Sequence, residues 1–213
     1  MSKRNIIIAA LAAVFVIYAF ASSTIVKEGH ESDLTGEVSF DPATVVNNFW
    51  EQNAKTYFEK KAVDVNDLLN TAKGNLKSVA ERGYAPNGES GALSFIVKGQ
   101  GTVTEVKDKL RSGYLLLEPD DYKGEETFRI QIGPVYKGSA VRDTIDLISY
   151  KDYTNQIEWA QVSVALHEKI QNGIITPANV SSLLGKKIKY IGCFTVGSDK
   201  VLRITPVELT VVE

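Results

Sequence analysis

The feature that most constrains the fold is a change of hydrophobic period at Leu93. Before it, apolar residues recur at helical spacing, and after it they alternate with polar ones. In the stretch LSFIVKGQGTVTEV, one side carries Leu93, Phe95 and Val97 and continues through Gly99 and Gly101. Glycines inside an alternating pattern mark a bulge or a tight bend where a sheet curls. We therefore predict a long, sharply curved first strand.

Four further segments have the pattern of strands. They are GYLLLEP, TFRIQIGP, KKIKYIGCFTV and KVLRITPVEL, and the short GSD turn joins the last two as a hairpin. Pro206 cannot donate to a ladder, which predicts a bulge or an edge at that point. Residues 145–150, IDLISY, extend the third strand or add another. Between the third and fourth strands, Trp159, Val162 and Leu166 indicate one long helix.

The resulting order is three strands, a helix and two strands. With a long glycine-broken first strand, this order is typical of an oligonucleotide/oligosaccharide-binding (OB) barrel. The predicted class is α+β: a five-stranded OB-like β-barrel with an inserted helix, preceded by an N-terminal helical segment. In that segment Asp41 and Pro42 start one helix, and a second runs from Asp64 to Gly83.

The N-terminus is typical of an export signal. Lys3 and Arg4 precede an uncharged apolar run over residues 6–21 that ends in small residues. This run is either a signal peptide cleaved after Ala21 or an uncleaved membrane anchor. Both alternatives place the protein in the periplasm or on the outer face of the inner membrane. The predicted organisation is 1–21 signal or anchor, 22–40 tether, and 41–213 a single domain, helical over 41–85 and a barrel over 92–213.

Cysteine content and charge exclude some classes of protein. The single cysteine, Cys193, lies in an alternating apolar segment, where we expect a buried side chain on a strand. It allows neither a disulfide framework nor lipid attachment after the signal, where the chain has Ser22, Ser23 and Thr24. Acidic residues outnumber basic ones by 26 to 24, which argues against binding of nucleic acid.

Longer stretches resemble a known family. The segments IGPVYKGSAVRDTIDLISYKDYTNQIEWAQVSVAL, LLGKKIKYIGCFTV and ITPVEL are similar to the predicted periplasmic lipoproteins of unknown function of bacteria, and residues 138–143 and 155–158 are the most specific. Members are often encoded beside sugar transporters of the ATP-binding-cassette type. The resemblance implies an exported location, a barrel-like fold and an accessory role in sugar uptake with transporter components as partners. It implies no reaction, ligand or catalytic residue, and the missing lipid-attachment cysteine departs from the family's name.

The stretch DYTNQIEW carries the strongest polar cluster. Asn155 is a good N-cap, and Glu158 stands three residues later, where its carboxylate can reach back to the backbone of the cap. Helix initiation therefore accounts for these two residues. It leaves Asp152 and Gln156 without an explanation, so a ligand role stays open.

Arg142 and Asp143 offer a partner for this cluster. A guanidinium is suited to a carboxylate, so Arg142 paired with Asp152 or Glu158 would brace the loop before the helix. The alternative is a site for a small polar or sugar-related ligand, with Tyr136, Tyr150 or Tyr153 as stacking surfaces. The predicted ligand-binding residues are Arg142, Asp143, Asp152, Tyr153, Asn155 and Gln156.

No motif indicates catalysis. His30 lies in the tether, and His167, which we expect to be solvated, lacks the second histidine of a zinc-protease helix. We predict no catalytic residue, metal or cofactor. The sequence leaves three hypotheses: a small-ligand or sugar-related binding accessory, a protein-interaction or scaffold module of the envelope, and a hydrolase using carboxylates.

Overall fold

The computed structural model describes residues 3–23, 40–84 and 92–212. The chain divides into two units, Met1–Phe40 and Asp41–Glu213. In the first, helix α1 covers Lys3–Ser22. Of the helices in the described ranges, none combines the length and apolar character needed to cross a bilayer. Most of the predicted tether, 24–39, and of the predicted turn, 85–91, lies outside the described residues.

The second unit begins with a helical segment. Asp41 accepts a hydrogen bond from the N–H of Ala43 at 3.0 Å, and Pro42 occupies the first helical position, which confirms the predicted start. The elements that follow are α2 Pro42–Phe49, a π-helical turn Trp50–Ala54, α3 Lys55–Lys61, β1 Val63–Asp64, α4 Val65–Ala72 and a 3₁₀ turn Leu76–Arg82.

The prediction that the second helix continues to Gly83 is wrong. Asp64 caps α4 by accepting from the N–H of Asp67 at 3.0 Å, but the helix ends at Ala72. Lys73 and Gly74 both have positive φ, at 47° and 82°, a left-handed geometry that stops a helix. The apolar residues beyond this break continue in the separate 3₁₀ turn.

Five strands close into the predicted barrel. They are β2 Ser94–Lys107, β3 Ser112–Pro119, β4 Thr127–Pro134, β5 Lys187–Thr195 and β6 Val201–Val211. The order is β2-β3-β4-β6-β5, and β2 pairs with β5 to close the ring, while β1 pairs with β2 outside it. The β4–β6 pair is parallel, and the other barrel pairs are antiparallel. The five-stranded OB-like barrel is confirmed.

Strand β2 has glycines where neighbouring atoms leave no room for a Cβ. A Cβ on Gly101 would lie 2.3 Å from the carbonyl oxygen of Glu118, and one on Gly99 would lie 2.8 Å from the hydroxyl of Tyr190. The N-terminal half of β2 pairs with β5 and its C-terminal half with β3, with an irregularity between Val103 and Glu105. One strand thus pairs with two neighbours, and it has the length and the irregularity that the glycine pattern predicts.

The β5–β6 hairpin contains the predicted irregularity. Gly192 pairs with Pro206, and the register shifts between Ile191 and Gly192, so the bulge predicted from Pro206 is confirmed. Cys193 on β5 is fully buried, as predicted. Burial raises the pKa of its thiol to about 12, and Thr144 Oγ1 donates to its sulfur at 3.3 Å.

The chain between β4 and β5 is helical. Its elements are α5 Ala140–Asp143, a 3₁₀ turn Tyr150–Asp152, α6 Gln156–Ile170, a π-helical turn Gln171–Ile175 and a 3₁₀ turn Val180–Ser182. The inserted helix, α6, is therefore confirmed. The strand predicted over residues 145–150 is wrong, because this stretch forms local turns with Ile145 and Ile148 buried.

The helical segment is fastened to the chain that follows α5. The hydroxyl of Tyr57 lies 2.7 Å from the carbonyl oxygen of Thr144 and 2.8 Å from Asp146 Oδ1. The N–H of Asp146 donates to the same hydroxyl at 2.9 Å, and Lys61 forms an ion pair with Asp146. Helix α2 packs on α6 nearby. The N-terminal helices and the barrel insertion therefore share one set of polar and apolar contacts.

Candidate functional site

Arg142 and Asp143 form an ion pair largely removed from solvent. Arg142 Nη2 and Nε donate to Asp143 Oδ1 at 2.6 and 2.9 Å, and the side-chain exposures are 13% and 11%. Arg142 Nη1 donates to the carbonyl of Trp159 at 3.2 Å, and the guanidinium lies 4.3 Å from that ring's centroid. Burial raises the pKa of Asp143, and the neighbouring guanidinium opposes this effect. The pair fastens α5 to α6.

The prediction that Arg142 pairs with Asp152 or Glu158 is wrong. Each of these carboxylates accepts instead from the backbone beside it: Asp152 from the N–H of Ser149 at 3.2 Å, and Glu158 from the N–H of Thr154 at 2.9 Å. Both carboxylates are bonded locally at the start of a helical turn, and among the described residues the ion-pair partner of Arg142 is Asp143.

Asn155 caps α6 as the sequence predicts. Its Oδ1 accepts from the N–H groups of Ile157 and Glu158 at 2.9 and 3.0 Å. A cap of this kind contributes about 1 kcal/mol to helix stability. Gln156, at the first helical position, is exposed.

The aromatic residues divide between two places. Tyr150 and Tyr153 pack against Trp159, with ring centroids 5.9 and 5.2 Å apart. Tyr136 lies elsewhere: its ring stacks on His167 at 4.7 Å, and its hydroxyl donates to Gln171 Oε1 at 2.9 Å. The structure thus brings Arg142, Asp143 and Tyr153 together around Trp159 and leaves Asp152, Asn155 and Gln156 at the exposed start of α6.

His167 is not solvated, contrary to expectation. It is half-buried under the ring of Tyr136, and burial together with the positive charge of Arg142 lowers its pKa to about 4. The sequence places His167 on α6 and predicts only that its side chain is solvated. Packing of the β4–α5 connection over the helix accounts for the difference.

A recess on the barrel wall was not predicted. We call it the polar recess. It has a volume of about 320 Å³ and spans four neighbouring strands, β1, β2, β5 and β6. Its lining residues are Asp64, Lys98, Gly99, Gln100, Lys189, Tyr190, Ile191 and Glu208.

The charges of the polar recess are balanced and accessible. It contains two lysines, Lys98 and Lys189, and two carboxylates, Asp64 and Glu208. Within the described ranges, Lys98, Lys189 and Glu208 form no ion pair with another side chain. Both lysines and Asp64 are exposed, and Glu208 is half-buried. The recess therefore offers donors and acceptors without a net charge.

Tyr190 adds a buried polar group to this lining. The residue is 2% exposed, and its hydroxyl has no hydrogen-bond partner among the described residues. Burial raises the pKa of the phenol, and the charge of Asp64 adds to the effect. A buried hydroxyl without a partner calls for an explanation, because such a group loses its water on folding and gains nothing in exchange.

A second depression adjoins the polar recess. We call it the apolar groove. It has a volume of about 390 Å³ and lies between the π-helical turn with α3 and strands β5 and β6. Its lining residues are Trp50, Ala54, Lys55, Phe58, Ile174, Ile191, Val207, Glu208 and Thr210. Ile191 and Glu208, which are paired across β5 and β6, line both depressions.

Sequence reasoning missed the polar recess because four strands far apart in the chain supply it. The available signal was the outward alternation of Lys98 with Gln100 and of Lys187 with Lys189. That pattern shows only which residues face out. Within the described residues, no group of three or more histidine, cysteine or acidic side chains is placed to hold a metal ion.

The closed five-stranded barrel with a helix between its third and fourth strands is the architecture of an OB-fold protein. The structure is similar to the crystal structure of an OB-fold protein from Thermotoga maritima, with a TM-score of 0.65 and 16% sequence identity. The match covers 82% of this chain and 100% of that chain. At this identity the similarity shows the fold alone.

The model of a family described as predicted periplasmic lipoprotein (DUF2291) matches residues 12–210. The chain belongs to this family, which confirms the resemblance seen in the sequence. The protein is accordingly periplasmic or anchored to the outer face of the inner membrane. Its one cysteine is the buried Cys193, so it departs from a lipoprotein in that respect. No curated protein matches the chain.

Proposed function

We propose that the protein is an exported, non-catalytic accessory that binds a small polar or sugar-related ligand in the polar recess. The observation that carries the proposal is a charge-balanced recess whose lining includes Tyr190, a residue with a buried hydroxyl that has no hydrogen-bond partner among the described residues. Concave sites with a few convergent polar groups are where proteins hold small ligands.

Balanced charge favours a neutral, hydroxyl-rich ligand over an anion. Lys98 and Lys189 can donate to a sugar hydroxyl, and Glu208 can accept from one; Asp64 can accept only with the capacity that its cap of α4 leaves. A phosphate would meet two acidic groups beside the two lysines. Neutral sugars therefore suit this lining better than sugar phosphates.

The six residues predicted from sequence are a weaker place for the ligand. Arg142 and Asp143 already bond to each other, and Asp152 and Asn155 bond to the backbone. Their ligand role stays a prediction, and Arg142→Ala tests it beside the recess variants. An association with components of a sugar transporter also stays a prediction, which rests on the resemblance to the family.

The test is a thermal-shift screen of the purified protein against neutral sugars and sugar phosphates, followed by titration calorimetry. A ligand that binds the folded state raises the melting temperature in proportion to the logarithm of its concentration. We expect neutral sugars to act, and we expect Lys189→Ala and Glu208→Gln each to weaken binding about tenfold, the effect of one charged hydrogen bond.

Lys186→Ala is the matched control, because Lys186 is an exposed lysine just before β5 and outside the recess. It should bind like the wild type. Unchanged affinity in Lys189→Ala and Glu208→Gln, with loss of binding in Arg142→Ala, would move the site to the predicted cluster. Absence of any response to sugars in the wild type would contradict the proposed function.

A further inference from the structure

We infer that the ligand is amphipathic, with a hydroxyl-bearing head in the polar recess and an apolar group in the apolar groove. This inference rests on the proposed function and specifies its ligand class. A ligand without an apolar group would occupy the polar recess and leave the adjoining apolar groove empty. The lining of the second depression is chemically different from that of the first, and this difference carries the inference.

The two depressions share a wall. Ile191 and Glu208 line both, and they face each other across the β5–β6 pair. A molecule seated against Lys189 therefore reaches the apolar groove by passing this one pair of residues. No intervening strand separates the two, because the polar recess covers β1, β2, β5 and β6 and the groove starts on β5 and β6.

The apolar groove offers aromatic and aliphatic surface. Trp50 is half-buried and tilts against Phe58 with ring centroids 6.5 Å apart, and Val207 is 8% exposed. Trp50 begins the π-helical turn. Such turns are rare in proteins as a whole, and those that occur are frequently found at functional sites. The first and last residues of this π-helical turn, Trp50 and Ala54, both line the apolar groove.

The charged residue on the shared wall, Glu208, favours a ligand that has a polar part as well as an apolar one. A purely apolar molecule would leave the carboxylate of Glu208 on the shared wall unused. A glycoside with an alkyl or aryl group matches both linings. Each methylene buried in the groove should increase affinity roughly fourfold, from the transfer free energy of apolar surface.

The test compares two probes that differ only in their apolar part, methyl β-D-glucoside and n-octyl β-D-glucoside, the latter below its critical micelle concentration. Titration calorimetry on the full protein should show at least a tenfold tighter affinity for the octyl compound. Trp50→Ala should remove this gain while it leaves the affinity for methyl glucoside within twofold. Leu184→Ala, which shortens an exposed apolar side chain elsewhere, should retain the gain.

A second measurement covers the case in which Trp50→Ala does not fold. Tryptophan emission of the wild type should shift to shorter wavelength with the octyl compound and not with the methyl compound, and Trp50→Phe should abolish the shift. Trp159, the other tryptophan, is buried beneath Arg142 and serves as an internal reference.

The outcomes separate the two proposals. Equal affinities for both glucosides, each weakened by Lys189→Ala, would overturn the inference and leave the proposed function standing. A gain for the octyl compound that persists in Trp50→Ala would also overturn it, as adsorption elsewhere. Octyl binding that depends on Trp50 and ignores Lys189→Ala and Glu208→Gln would overturn both, because the groove would then bind apolar molecules alone.

Discussion

At the scale of single residues, two buried polar side chains differ in whether they are hydrogen-bonded. Arg142 is largely buried and its guanidinium bonds to Asp143 and to the Trp159 carbonyl. Tyr190 is more deeply buried, and its hydroxyl bonds to nothing in the described residues. Satisfied groups stabilise a fold, whereas an unsatisfied one costs free energy unless a water or a ligand bonds to it.

This contrast gives a prediction for Tyr190→Phe. The change removes a hydroxyl that makes no hydrogen bond, so we expect the free energy of unfolding to stay the same or to rise by up to about 1 kcal/mol. Urea denaturation measures it. Tyr57→Phe is the control: its hydroxyl contacts Thr144 and Asp146, and its loss should cost about 1–3 kcal/mol. An equal loss in both variants would mean that the Tyr190 hydroxyl has a partner in solution.

At the scale of elements, the barrel depends on how sharply β2 turns. At Gly101 the strand passes from its pairing with β5 to its pairing with β3, against the backbone of Glu118 and Pro119. A side chain at this point meets main-chain atoms, which cannot move aside as the end of a flexible side chain would. The glycine is therefore a structural requirement of the closed sheet.

Gly101→Ala should destabilise the protein by roughly 1–3 kcal/mol, because its Cβ would lie 2.3 Å from the carbonyl oxygen of Glu118. Gly173→Ala is the matched control. Apart from its chain neighbours and the backbone of its own turn, no described atom lies within 4 Å of a Cβ there, and the residue is in a π-helical turn, so the change should be neutral or stabilise by up to about 1 kcal/mol. Differential scanning calorimetry compares the two, and equal effects would contradict the close approach.

Elements were easier to predict than their contacts. Alternation and helical spacing are local signals. The succession of strands and helix along the chain, α6 itself and its Asn155 cap could therefore be predicted from the sequence. The break at Lys73 carried only a weak signal, the glycine after it. The sequence suggests Asp152 or Glu158 as the partner of Arg142, but the guanidinium bonds to Asp143 and stacks on Trp159 of α6, an arrangement that only the packed fold provides. The polar recess exists only after β2 and β5 pair, and no short stretch contains that information.

At the scale of the whole molecule, stability depends on groups kept in one charge state. His167 has a pKa lowered to about 4 by burial and by Arg142, against about 6.5 in an unfolded chain. Between these values the unfolded state binds more protons, so the free energy of unfolding falls as the pH falls. Asp143 acts in the opposite sense, because burial raises the pKa of its carboxyl.

We therefore expect the melting temperature to decrease from pH 7 to pH 5, and to decrease less in His167→Gln, which cannot take up the proton. Glu168→Gln, an exposed neighbour on the same helix, is the control and should follow the wild type. The difference between the profiles is the measured quantity, since other acids titrate as well. Parallel profiles for His167→Gln and the wild type would show that His167 does not hold its neutral form in the fold.

The double pairing of β2 also governs when an exported chain can fold. Translocation delivers the polypeptide from its N-terminus, so β2 emerges early, yet its partner over Ser94–Thr102 is β5, whose paired residues are Lys187–Thr195. The ring is completed only when β6 joins β4 and β5. Until then β2 has an open edge of the kind that chaperones bind and that aggregates recruit. Closure of the barrel thus depends on its last strand, Val201–Val211, being available.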